Sequence, residues 1–454
     1  MKNLFLIFSF ITLSMLGVSA IEAQTNSSTT STQVVPINWK RFSNSIKNSQ
    51  DISQSRQILA NSARYNLSWI PKTFKLDDQN GLYEINHYDE NGIRPAACVS
   101  YGLAVALQCA KLNDKELGLS RDEAFKQISM LIKGVAVGYR TNRTDGKGWG
   151  NSWQTAFWAT MVGQGAWMVW DKLDSETQKM VQNIIVSEAD RFITPEYKVP
   201  YWTSPDGHVN TPGDTKAEEN AWNSTVLQVA IAMMPHHPSV EKWKNICSEL
   251  MISAFSLKRD LQNNKIVDGK PVKDWLNGFN VSDEGAVINH NIIHPDYTVT
   301  ISMNARAVLA QSLAGESVAQ AAQWNAPFIY RSLEEHVWPS PPYKSPGGTM
   351  YTPGKAELYY PQGTDWSKFR FDIYYLADVN AHILGWDKGL KYKATDWMRI
   401  RASRILEMQS RHSDGHMFTH EEFPTYPGCE QMVVWQTGDA YLLFWLKAHH
   451  AIKL

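Results

Sequence analysis

Residues 431–449 read Q-M-V-V-W-Q-T-G-D-A-Y-L-L-F-W-L-K-A-H. At 3.6 residues per turn, Val433, Val434, Trp435, Tyr441, Leu442, Leu443, Phe444, Trp445 and Leu446 point in nearly every direction around the axis, leaving no face for water. Such a helix must be enclosed. The last repeat of an open helical solenoid needs a polar outer face, whereas an inner helix of a closed ring is surrounded by neighbours. Upstream, the same periodicity predicts helices over Ser53–Tyr65, Ala96–Lys111, Arg121–Val137, Ser152–Lys172, Glu176–Arg191, Thr215–Met233 and Val240–Leu261. Further helices are predicted over Tyr297–Leu313, Val318–His336, Trp366–Leu384 and Lys391–Met408. Strand-like alternation is scarce. The expected fold is therefore all-α, an α/α toroid of about six helical hairpins with long loops and a few short β-hairpins such as Lys265–Val272. Two long excursions, Asn263–Asn289 and Trp338–Asp365, interrupt the helices, and loops of that length in a compact domain are usually functional.

Composition narrows the partners. Across 454 residues, 44 Lys plus Arg face 45 Asp plus Glu, a formal charge of −1. That balance lacks the basic footprint of a nucleic-acid or anionic-membrane binder. The 18 Trp are an excess that either fills a wide core or lines a site for a flat ligand, of which sugar rings are one kind. Residues 1–20 read as a signal peptide: Lys2, an apolar run from Leu4 to Gly17, then Val18, Ser19 and Ala20 before cleavage. Export to the periplasm or outside is expected. Residues 21–36 form a polar linker, and residues 37–454 a single catalytic domain, expected as a monomer. Cys98, Cys109, Cys247 and Cys429 lie at no metal-ligand spacing.

Three stretches carry chemistry. Gly213–Ser224 reads G-D-T-K-A-E-E-N-A-W-N-S. Thr215 and Glu218 fit a capping box, which gives Glu218 a backbone duty and no catalytic one. Lys216, Asn220 and Asn223 then share one helical face with Glu219 beside them, a surface suited to a carboxylate ligand at a helix N-terminus. Ser282–Asn304 holds Asn289, His290 and His294 before a helix start at Pro295, Asp296 and Tyr297. A phenol beside protonated imidazoles at a helix N-terminus is expected to have a lowered pKa and to transfer protons. His290 and His294 have H-x-x-x-H spacing, but Pro295 breaks the helix that spacing needs, so no metal site is expected. A divalent cation that helps to quench a substrate acid stays open. In Gly148–Trp170, Trp149 sits in a Gly-rich loop as the expected exposed platform. Trp153 and Trp222 are further substrate-binding candidates, although Trp153, Phe157 and Met161 follow the i+4 steps of a core face. Tyr359–Trp366 reads as a rim loop that adds Asp365 as a carboxylate.

These elements, in this order, resemble the α/α-toroid polysaccharide lyases, the group of hyaluronate, chondroitin AC and xanthan lyases. Glu219–Asn223 (E-N-A-W-N), Asp283–His290 (D-E-G-A-V-I-N-H) and Tyr297 carry the resemblance. Gly213–Ser224 also resembles the exported family that removes rhamnose from rhamnose-α-1,4-glucuronate caps. The resemblance implies β-elimination at a 4-linked uronate in a polysaccharide or oligosaccharide, with Asn220 holding the carboxylate and His290 and Tyr297 moving protons, and no cofactor. Two rival readings come from the residues themselves. One is a glycoside hydrolase on the same fold, with Glu219 or Asp214 opposite Asp365; the other is a non-catalytic glycan-binding protein.

Overall fold

The computed structural model describes residues 31–423 and 426–454; the expected signal peptide and residues 21–30 lie outside the described residues. The helices alternate outer then inner along the chain: α1 (Gln50–Thr73) then α2 (Ile93–Gln108), and, after one-turn α3 (Asp114–Leu117), α4 (Arg121–Val137) then α5 (Thr155–Met168). Next come α6 (Ser175–Asp190) with α7 (Ala217–Met233), and α8 (Val240–Ala254) with α10 (Ile301–Ala314), which one-turn α9 (Pro295–Thr298) precedes. The last pairs are α11 (Ala326–Glu335) with α12 (Phe371–Leu384) and α13 (Ala394–Ser410) with α14 (Cys429–Ala448). Around the ring α2 packs on α5, α5 on α7, α7 on α10, α10 on α12, α12 on α14, and α14 closes back on α2. The α/α toroid read from the sequence is the observed fold, and its short β elements are two-stranded antiparallel hairpins.

Burial separates the two rings in the way that the sequence pattern requires. Every residue of α5 is buried, and in α14 only Met432, Lys447 and Ala448 fall outside the buried set. Outer α6 buries one stripe, Thr177, Val181, Ile184, Ile185, Glu188 and Ala189, and leaves the opposite face to water. Close packing inside the ring rests on small residues: a Cβ at Gly102 of α2 would lie 2.6 Å from the Val434 carbonyl oxygen of α14. Order begins earlier than Ile37, because the end of the linker is docked. Ser31 N and Val35 N donate to the His236 and Met233 carbonyls, and Trp167 Nε1 donates to the Val35 carbonyl at 2.8 Å. All four cysteines are buried free thiols, and no helix among the described residues is long and apolar enough to cross a membrane.

The interior of the ring is not purely apolar. Arg306 of α10 ion-pairs with Asp439 of α14 and donates to Gln164 Oε1 of α5 at 2.5 Å. The same aspartate accepts from Tyr101 of α2 at 2.5 Å and from Trp435 Nε1 at 2.9 Å. One buried pair thus ties four of the six inner helices together. Removing one partner strands a buried charge, which costs about 3–5 kcal/mol. Arg306→Met is therefore expected to lower unfolding free energy by that amount in urea titration, against under about 0.5 kcal/mol for an exposed substitution such as Lys391→Ala.

Candidate active site

The inner helices run in one direction, so their N-termini meet at one end of the ring. A cavity of about 270 Å³ opens there. Its wall takes Glu90 from before α2 and Arg94 from its first turn, Trp153 and Gln154 from the turn before α5 and Phe157 from α5 itself, and Glu218 and Trp222 from α7. Tyr297 comes from α9, Met303 from α10 and Thr300 from its N-cap, Ile373 from α12 with Trp366 and Arg370 from the residues before it, and Met432 and Trp435 from α14 with Tyr426 just before it. Among the described residues, none of the six inner helices has a side-chain hydrogen bond from its N-cap residue. Their positive dipole ends are left to the cavity, an environment that favours anionic groups.

Both sequence excursions reach this mouth. The first ends in an antiparallel hairpin, β1 (Ile288–Asn289) with β2 (Ile292–Ile293). Its turn residues His290 and Asn291 both have positive φ, 51° and 65°, a pairing that matches strand twist but is uncommon without glycine. Gly213 lets the turn dock: a Cβ there would lie 2.0 Å from Asn291 Oδ1, and Asn291 N donates to the Gly213 carbonyl at 2.9 Å. The second excursion brings Gln362 to Ile293 N at 2.6 Å and Asp365 to both imidazoles.

Two adjacent hairpin residues hold two carboxyl groups. Asn289 Nδ2 donates to Glu218 Oε1 at 2.7 Å. His290 Nδ1 lies 2.6 Å from Asp365 Oδ2, and His294 Nε2 lies 3.1 Å from Asp365 Oδ1. The environments of the two acids are opposite. Glu218 is buried, its Oε2 has no partner among the described residues, and burial, reinforced by Asp214 and Glu219, pushes its pKa up to about 8. Asp365 is half exposed; burial works against its charge, but the hydrogen bonds from His290 and His294 prevail and hold it below the ordinary carboxylate range. His294 is fully buried, and burial lowers its pKa against the pull of Asp296 and Asp365. His290, His294 and Asp365 present one ligand atom each within 4.8 Å of one another, so the described residues do bring together a set able to hold a metal, contrary to the sequence expectation.

The remaining expectations sort by position. His290, Tyr297, Trp153 and Trp222 line the cavity. His294 sits behind it, with its ring 4.7 Å from that of Tyr297. Tyr297 does not have the lowered pKa expected: burial and the nearby Glu218 and Asp365 raise it, because the phenol sits among acids. Asn220 is turned away from the cavity and donates to the Pro200 carbonyl and to Ser253 Oγ, both at 3.0 Å. Asn223 is buried and accepts from Arg191 at 3.4 Å. Lys216 is neutralised by Asp214 at 2.7 Å and Glu219 at 3.3 Å. The helix begins at Ala217 with Lys216 as N-cap, so the Thr215–Glu218 capping box does not form and Glu218 is released into the cavity wall. The two tryptophans exchange roles: Trp149 is 2% exposed with Nε1 on the Val135 carbonyl, while Trp153, on the turn before α5, is 54% exposed. Positive φ at Gly148 and Gly150 turns the Trp149 ring inward, onto Tyr139.

No protein-family model matches the chain, and no curated protein does. Among solved structures it is similar to the α-1,6-mannanase GH76A of Salegentibacter sp. HEL1_6, at 11% identity and a TM-score of 0.41, over 86% of this chain and 99% of that one. Inactive variants of the same enzyme in complex with α-1,6-mannotriose and with α-1,6-mannotetrose give TM-scores of 0.41 and 0.44 at the same identity, covering 86% and 85% of this chain and 99% of theirs. At this identity the likeness is at most one of fold. The expected carbon–oxygen lyase is corrected: these solved structures are hydrolases and none is a lyase. Within the site, the amide expected to hold a uronate donates away from the cavity, to Pro200 and Ser253, and burial raises the pKa of the phenol expected to ionise.

The raised pKa of Glu218 has a consequence for stability. Its contribution is fully present below about pH 4.5, the unfolded value, and is lost as pH rises through about 8. Glu218→Gln keeps the acceptor for Asn289 and removes that loss. Thermal unfolding is expected to show equal Tm for variant and wild type at pH 4, and a variant more stable by on the order of a few °C at pH 9.

Proposed function

We propose that the chain is a glycoside hydrolase acting on a glycan that carries an acidic sugar. The observation that supports it most is Glu218, a carboxyl in the cavity wall that burial keeps protonated at neutral pH, tethered through Asn289–His290 to the exposed Asp365. Hydrolysis across two carboxyl groups needs one proton donor and one carboxylate that directs water. Glu218 gives its proton to the glycosidic oxygen as the bond from that oxygen to the anomeric carbon breaks. Water adds to the anomeric carbon, and its proton leaves towards the Asp365–His290 side. Trp153, exposed at the rim and edge-on to Trp222 at 5.8 Å, offers a face for a sugar ring. Tyr297 remains a neutral hydrogen-bond donor.

The acidic sugar is argued from Arg94. This buried guanidinium lines the cavity and, among the described residues, donates to two neutral acceptors, Gln154 Oε1 at 3.1 Å and the Pro427 carbonyl at 2.8 Å. No carboxylate among the described residues pairs with it. A substrate carboxylate supplies the missing partner, and the uncapped helix N-termini add to the attraction.

On a uronate-bearing oligosaccharide, Glu218→Gln is expected to lower kcat by at least about a hundredfold with KM little changed. In ¹⁸O-water the new reducing end should gain one labelled oxygen, with no ultraviolet-absorbing product; such a product, or full activity of Glu218→Gln, contradicts the reading. Activity of the wild type should fall as pH rises through about 8, where Glu218, faced by Asp214, Glu219, Lys216, Asn289 and Tyr297, loses its proton. Arg94→Gln is expected to raise KM for the acidic glycan about tenfold, a loss of about 1.4 kcal/mol, and to leave kcat near its original value.

A further inference from the structure

We propose that His290, His294 and Asp365 form a binding site for one divalent transition-metal ion of the zinc class. Three protein atoms converge: His290 Nδ1 is 2.6 Å and His294 Nε2 3.1 Å from the two oxygens of Asp365, and all three ligand atoms lie within 4.8 Å of one another. Two imidazoles and one carboxylate favour zinc or a neighbouring first-row ion over magnesium or calcium, which prefer all-oxygen sets.

A second observation points the same way. Behind the site, His294 Nδ1 lies 3.7 Å from Asp296 Oδ2, and both atoms are buried without a hydrogen-bond partner among the described residues. A neutral imidazole has one N–H, and here it stands between two carboxylates, Asp365 at Nε2 and Asp296 at Nδ1. Whichever nitrogen holds the hydrogen, the other presents a lone pair to an oxygen. A metal ion on Nε2 resolves this: the hydrogen settles on Nδ1, the nitrogen that faces Asp296 Oδ2 across 3.7 Å. That is the carboxylate–histidine–metal arrangement that fixes ring orientation in metal sites. Asp296 is itself held, its Oδ1 accepting from Tyr374 and Tyr360.

The hairpin supplies the rigidity. His290 reaches Asp365 only because its backbone takes φ 51° at the turn docked on Gly213. Its side chain is 44% exposed and that of Asp365 50%, so an ion can enter from solvent. His290 also lines the cavity, and three protein ligands leave a coordination position reachable from it. The ion site does not depend on the hydrolase reading, since binding is measured without turnover.

The test uses the whole chain, stripped of metal with a chelator, dialysed against Zn²⁺ or Co²⁺ and assayed for bound metal. One equivalent of Zn²⁺ per chain is expected, and Co²⁺ should give visible absorption bands of a low-symmetry site with nitrogen ligands. His290→Ala and Asp365→Asn, both at exposed positions, should each weaken Zn²⁺ binding by at least a hundredfold with folding unchanged by circular dichroism. Asp296→Asn should weaken it about tenfold. Less than a tenth of an equivalent bound to the wild type, or binding undiminished in both His290→Ala and Asp365→Asn, overturns the proposal. Loss of activity in Glu218→Gln with full Zn²⁺ content separates the hydrolytic claim from this one.

Discussion

The ion pair between Arg306 and Asp439 is the constraint on which the rest of the molecule turns. Six helices standing in a ring leave an axial gap that aliphatic side chains fill only in part, and an unfilled gap costs packing energy. Here the gap is closed by charge: Asp439 of α14 gathers Arg306 of α10, Tyr101 of α2 and its own neighbour Trp435, while Arg306 reaches Gln164 of α5. Asp439 lies in the floor of the cavity. The interaction that closes the ring therefore also sets how deep the cavity can be.

From that constraint the electrostatics follow. A ring closed by alternating outer and inner helices points every inner N-terminus to the same end, and with their N-caps unfilled those termini favour negative charge in the space they enclose. The chain places acids there, and distance from solvent decides the fate of each. Glu218 is sealed in the wall and keeps its proton, whereas Asp365 stands at the rim between two imidazoles and loses it. The Asn289–His290 turn couples the two. Its strained backbone stays in place because Gly213 and Gln362 hold it from either side.

Much of this was legible beforehand. The all-round apolar character of residues 431–449 called for an enclosed helix, and each predicted helix lies where an observed one does, because 3.6-residue periodicity is a local property that burial in a ring preserves. The two long excursions end at the rim of the cavity, with Asn289 on Glu218 and Asp365 on His290. The individual side chains were harder to read. Glu218 looked like half of a capping box, and only the start of α7 at Ala217 frees it. Asn220 and Asn223 shared a predicted binding face, but on an inner helix every face is buried and theirs turn to neighbouring elements. Trp149 and Trp153 differ by four positions, and two glycine torsions plus a helix that starts at Thr155 decide which ring is sealed. The His290–His294 pair failed as a helical metal motif because of Pro295; it converges instead across a hairpin, with a carboxylate 71 residues further on, at Asp365. Spacing along the chain does not reveal that.

The central claim is that a buried carboxyl in the cavity wall remains protonated at neutral pH. Carboxyl carbon NMR on protein labelled at glutamate reads this directly, with Glu218→Gln used to assign the resonance. The account predicts that the signal missing from the variant titrates near pH 8 in the wild type. A Glu218 signal that has already titrated by pH 5, like that of a solvated glutamate, would contradict it.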